Sequence, residues 1–147
     1  MANQEQLDLL KQGITEAWNR WRLDNPDRRP ELQGADLTEA NLSGVDLTSA
    51  DLTGANLTEA DLNNANLSEA KLTGANLSGA NLAGANLTKA DLSDANLAWA
   101  DLVAADLNEA NLTGAYVRAA NFSWTNVSQA IIADGQLKSA RLSPDDL

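Results

Sequence analysis

The 147-residue chain contains no cysteine and no histidine. Those two absences remove thiol nucleophiles, imidazole bases, disulfides and the side chains that hold most transition metals. Carboxylates and hydroxyls are the chemistry that remains, so neither an enzyme nor a cofactor is expected. Aromatic residues are scarce as well, with four Trp, one Tyr and one Phe, and a core cannot be built from a few large side chains. Long apolar runs are missing too: Asp8, Lys11 and Glu16 interrupt the N-terminal stretch where a signal sequence needs its hydrophobic segment. The expectation is a soluble, cytoplasmic protein without a membrane partner.

Positive charge is in short supply. Ten Lys and Arg stand against 21 Asp and Glu, a net charge of -11. Residues 1–30 are balanced, so the whole excess lies from Glu31 onward, where the bases are Lys71, Lys89, Arg118, Lys138 and Arg141. An acidic surface of this kind repels nucleic acid and anionic lipid and favours basic partners.

What the chain has in abundance is a five-residue period. Leu recurs at every fifth position from Leu37 through Leu112, with Ala two residues before it, as in ADLTE ANLSG VDLTS ADLTG ANLTE. A straight helix cannot use this spacing, because five steps of about 100° rotate each successive Leu by about 140°. A straight strand fails because five is odd and successive Leu alternate faces. The consistent solution bends the chain once per unit, so that each Leu and its Ala point to a shared interior.

The lysines report how many units close a circuit, because like charges repel between coils about 4.8 Å apart. Twenty residues either side of Lys71 stand Asp51 and Asp91, and Lys89 has Glu69 and Glu109. At fifteen residues the neighbours are uncharged, and at twenty-five Asp46 alone carries a charge. Four sides fit best.

Tandem A(D/N)LxX units resemble the pentapeptide-repeat family over about 110 residues. The resemblance implies an all-β solenoid, a right-handed quadrilateral β-helix with Leu and Ala inside and the other three positions outside. Roughly six coils at about 4.8 Å make a rod about 28 Å long. The expected division is an N-terminal cap and linker over residues 1–30 and a β-helix over 31–147.

An open solenoid end exposes core and unpaired backbone, so it needs a cap. Leu7, Leu10, Ile14, Ala17, Trp18 and Trp21 share one face at helical spacing over residues 3–23, and Asn3 with Gln6 resembles a capping box. Pro26 ends this helix after Asn25. At the other end Val117, Phe122, Val127 and Ile132 replace four successive Leu. Outward positions change there too: Tyr116 and Ile131 occupy Asp/Asn sites, Arg118 a Ser/Thr site, and Trp99 and Trp124 corners that are elsewhere small or polar. These five are the candidate interaction surface, and a self-cap, a homodimer contact or a site for another partner are its possible roles.

The Asp/Asn columns are best explained by side chains bonding to local turn backbone, since the glycine-rich Ca²⁺ signature of other β-helices is missing. The Gly at 34, 44, 54, 74, 79, 84 and 114 sit where a corner requires positive φ. A non-enzymatic structural or protein-interaction module is the leading expectation, its partner unknown. The family offers an alternative, because some members resemble DNA in shape and charge and bind DNA gyrase. The charge of this chain, one per about 2.5 Å of rod against one per about 1.7 Å of duplex, suits that reading. Its length matches only about eight base pairs, and its central residues are Leu where that group tends to carry Phe.

Overall fold

The computed structural model of the protein describes residues 1–144. Two helices, α1 (Gln4–Lys11) and α2 (Thr15–Asp24), precede the repeats. Sequence periodicity suggested one helix here, and Gly13 breaks it. Its φ of +70° places it in the left-handed region, where its N–H donates to the Leu10 carbonyl and closes α1. Ile14, expected on the buried face, therefore becomes the extended residue before α2 and is 55% exposed. The rest of that face behaves differently: Leu7, Leu10 and Trp18 are buried, and Trp21 is half-buried with its ring 5.1 Å from that of Trp18. Asn3 caps α1 by accepting from the Gln6 N–H.

From Glu31 the chain returns beside itself every twenty residues. Parallel bridges join Glu31 to Asp51, Asp51 to Lys71 and Lys71 to Asp91, and the same offset continues on every side up to Asn121 and Arg141. Twenty residues are four units, so spacings of fifteen and twenty-five are excluded. Among the described residues the repeats form single bridges and no extended strand. Each unit turns its corner before a second pair could form.

The turn is the same in unit after unit. The Leu52 carbonyl accepts from the Ala55 N–H at 2.9 Å, and the equivalent bond recurs along the ladder. The residue before that Ala holds positive φ in every unit from Gly34 to Gln129, in seven glycines and thirteen other residues. An i to i+3 bond with positive φ at the third residue only is a type II turn.

All five backbone N–H groups of a unit are then accounted for, as burial demands. In the unit beginning at Asp51, the Leu52 and Gly54 N–H donate to Lys71 and Thr73 in the next coil, the Asp51 N–H donates back to Pro30, and Ala55 closes the turn. The fifth, on Thr53, donates to the Asp51 carboxylate at 3.1 Å. The Asp/Asn position thus needs an oxygen three bonds from Cα, which carboxylate and amide both provide. Inside, every repeat Leu from Leu32 to Leu112 is at most 1% exposed. Burying each is worth roughly 1.5–3 kcal/mol before chain entropy is subtracted.

Regularity fades beyond Asn126. A 3₁₀ turn, Gln136–Ser139, replaces a flat unit, and Ala119 donates to Ser139 twenty residues on, where Trp99 and Glu109 reach nineteen. The last three positions of the expected 31–147 repeat region lie outside the described residues.

Candidate interaction surface at the C-terminal coils

The twenty-residue register sorts the outward side chains into columns. On one side Tyr116 stacks on Asn96. The corner that follows carries Arg118 and, one coil lower, Trp99, whose N–H donates to the Arg118 carbonyl at 2.9 Å. The next side carries Asp101, Asn121 and Arg141 in one column, and the corner beyond it carries Ala104 and Trp124. Ile131 stacks on Asn111 on the side opposite Asn121. Of the five candidates, Trp99, Tyr116 and Arg118 thus come together, Trp124 lies at the next corner, and Ile131 lies on the side before that of Tyr116. Trp99, Tyr116, Trp124 and Ile131 are 67, 52, 62 and 58% exposed.

These positions have given up the work their columns normally do. Asn96 accepts from the Ala98 N–H and Asn111 from the Thr113 N–H. Tyr116 and Ile131, one coil on, have no side-chain oxygen within reach of the same group. At Ile131 the loss is repaired from elsewhere: the Gln136 side-chain oxygen accepts from the Ala133 N–H at 2.9 Å. The same amide donates to the Leu112 and Ala115 carbonyls at 2.6 and 3.0 Å. Sequence reasoning missed Gln136, although it falls twenty residues after Tyr116 and so in an Asp/Asn column. Thr125 was also missed. It occupies an inward Ala position, and its hydroxyl donates to the Leu102 carbonyl at 2.7 Å.

Beside the 3₁₀ turn lies an open groove of about 660 Å³ whose apolar lining is Ile132, Leu137, Ala140 and Leu142, with Lys138 at its rim. A smaller hollow lined by Phe122, Val127 and Leu137 continues it into the core.

Elsewhere on the wall polar side chains bond to neighbouring groups of the same turn. The Thr53 hydroxyl and N–H both donate to Asp51, and the Ser93 pair does the same to Asp91. Burial pushes the Asp51 carboxyl up, but the Thr53 bonds, the Arg29 charge and Gln33 outweigh it and hold the group below the usual carboxylate range. The Ser93 hydroxyl, against partial burial, does the same for Asp91 with help from its N–H, Thr73 and Lys71. Among the described residues no group of three or more acidic side chains stands where it could hold a metal ion, and no helix is long and apolar enough to cross a membrane.

A four-unit circuit with Leu and Ala inside and Asp or Asn holding most turns defines a five-residue-repeat protein. A profile for pentapeptide repeats matches residues 31–68, 65–102 and 95–134, and the chain belongs to that family. Among solved structures it is similar to HetL, a pentapeptide repeat protein involved in heterocyst differentiation regulation from the cyanobacterium Nostoc sp. strain PCC 7120. The two are 33% identical with a TM-score of 0.64 over 80% of this chain and 63% of HetL, so the chain spans somewhat under two thirds of that protein's length. A second Nostoc PCC 7120 pentapeptide repeat protein is 34% identical over 84% of this chain and 92% of its own, with a TM-score of 0.40. One from the thylakoid lumen of Arabidopsis thaliana is 28% identical over 72 and 70%, with a TM-score of 0.43. Curated proteins give no sequence match.

Proposed function

We propose that the chain is a right-handed quadrilateral β-helix acting in the cytoplasm as a non-enzymatic protein-interaction module, with its contacts at the C-terminal coils. The bridges at twenty residues support the four-sided circuit, and the family likeness supports its hand. One observation carries the functional reading. Along the regular wall most Asp and Asn side chains accept from the N–H of their own turn, whereas Trp99, Tyr116, Trp124 and Ile131 are exposed at positions where their column carries smaller or polar residues. A surface that has lost internal bonds to expose aromatic and aliphatic groups is suited to contact with another protein. The open groove beside the 3₁₀ turn suits a second copy docked end to end, which covers both apolar ends at once. The likeness to HetL, a protein of a regulatory process, is in keeping with a binding role.

The test is a Trp124→Asp/Ile131→Asp variant. A change in assembly state by sedimentation velocity, or in the proteins recovered with the tagged chain, is expected. An unchanged profile in both measurements defeats the reading.

A further inference from the structure

The charge of the repeats is not evenly spread. Residues 31–115 hold thirteen acids and two bases, Lys71 and Lys89, whereas residues 116–144 hold Arg118, Lys138 and Arg141 against Asp134; Asp145 and Asp146 lie outside the described residues. The register gathers those three cations. Lys138 follows Arg118 by twenty residues and lies in the 3₁₀ turn above the same corner, where Ala119 donates to Ser139. Arg141 bridges to Asn121 on the adjoining side. All three are exposed, and among the described residues the ion pairs are those of Arg20, Arg22 and Arg29, near the opposite end. Trp99 and Tyr116 flank the cations at one corner and Trp124 at the next. The acid between the two tryptophan corners is Asp101.

We propose that this corner and side form a docking surface for a short acidic segment of a partner protein that also carries an aromatic or aliphatic side chain. The inference rests on the reading of the chain as an interaction module and names the chemistry of its partner. Arg118, Lys138 and Arg141 supply the positive field, and the exposed faces of Trp99, Tyr116 and Trp124 supply apolar contact in the same coil as Arg118 or the one below it. The patch extends over about two coil steps, roughly 10 Å, which holds a few extended residues. That size selects among anions. Glu59 lies two coils below Trp99 in the same column, and Asp101 and Asp61 lie below Asn121 on the adjoining side. A nucleic acid or an anionic membrane must run over those acids, while a short segment stays within about one Debye length of the cations.

Three substitutions separate docking from folding, because one restores the usual residue of its column and two place glycine at corners of positive φ. Tyr116→Asn returns the acceptor for the Arg118 N–H, and Trp99→Gly and Trp124→Gly relieve positive φ. The probe is a fluorescein-labelled peptide of repeated Glu-Glu-Phe, titrated by anisotropy at low and physiological salt beside a Lys-Lys-Phe peptide, a Glu-Glu-Gly peptide, a single-stranded oligonucleotide and phosphatidylserine vesicles. The expected result is salt-sensitive binding of Glu-Glu-Phe over every control. It weakens by about tenfold in Arg118→Glu/Lys138→Glu, as the loss and reversal of two exposed pairs implies. It weakens also in Tyr116→Asn/Trp99→Gly/Trp124→Gly, while thermal unfolding is unchanged or improved. No binding to the intact chain, equal binding to the charge-reversed variant, or tighter binding of the oligonucleotide or vesicles overturns the inference. Should the acidic peptide fail while Trp124→Asp/Ile131→Asp still alters assembly, the partner chemistry named here falls and the interaction module stands.

Discussion

The two ends of the repeat region solve one problem by different means. At the N-terminal end the first coil has backbone groups with no coil beneath them, and α1 and α2 reach over to satisfy them. The Thr15 hydroxyl, the Trp18 indole and the Arg22 guanidinium donate to the carbonyls of Ser43, Asp46 and Thr48 at 2.7, 2.8 and 3.0 Å. Asn19 exchanges bonds with Gly44 and Asp46, and Gln6 accepts from the Glu31 N–H. At the C-terminal end one glutamine and a 3₁₀ turn stand in for all of this, and Val127, Ile132, Leu137 and Leu142 stay half-buried. Strain follows the same gradient. Six of the eleven positive-φ corner residues from Gly34 to Gly84 are glycine, whereas from Lys89 to Gln129 only Gly114 is. The difference is between an end whose backbone groups two helices satisfy and one whose apolar side chains are half-buried beside a single 3₁₀ turn.

The largest expected effect is at the N-terminal end. Trp18→Ala removes a 1%-exposed ring and its bond to Asp46, and should cost about 3–5 kcal/mol in urea unfolding. Leu137→Ala, at the half-buried end, should cost about 1–2 kcal/mol. Equal losses would erase the contrast.

Gln136→Ala comes next. It leaves the Leu112 and Ala115 carbonyls and the Ala133 N–H without this partner, at about 1–3 kcal/mol. Gln6→Ala frees one Glu31 N–H and should cost less. The reverse order in chemical denaturation would show that the C-terminal turn is not what closes that end.

A smaller effect concerns acid. Asp51 and Asp91 are held below the usual range when folded, so the folded state binds their protons less readily than the unfolded chain. The stability they contribute is complete above the unfolded value of about 3.9 and is lost as pH falls through the lower folded value. Asp51→Asn and Asp91→Asn keep an oxygen for the Thr53 and Ser93 N–H and remove the titration. Melting temperatures followed from pH 7 downward should therefore decline less steeply below about pH 4 in both variants. An acid limb identical to that of the unaltered protein would remove the assignment.

The smallest effect sharpens the gradient of strain. Ala104 holds φ of +58°, which costs an L-residue about 1–2 kcal/mol, while glycine costs about 0.4–1 kcal/mol more to order. Ala104→Gly should accordingly raise stability by up to about 1 kcal/mol, seen as a small rise in the unfolding midpoint. A fall would mean that the corner is not strained.

Much of this was legible in the residues. Lys71 and Lys89 revealed the twenty-residue circuit even though neither belongs to an ion pair among the described residues; avoidance of like charges was sufficient. The Asp/Asn column likewise pointed to its role in the turn. Ile14 was misplaced because helical spacing alone does not register that Gly13 closes one helix and opens another. Gln136 was invisible because its value lies in reaching two carbonyls in a neighbouring coil, which no local pattern records. The candidate surface was half legible: broken columns identified Trp99, Tyr116, Arg118, Trp124 and Ile131, but not that Ile131 faces away from Asn121 or that Lys138 and Arg141 join the rest.

The one-dimensional order of residues was enough to determine period, interior and number of sides, because each is a repeated local choice whose error would recur in every unit. Tertiary structure alone decided how the ends are satisfied and which exposed side chains meet. Those outcomes depend on single contacts across twenty or more residues, and a single contact leaves no periodic trace.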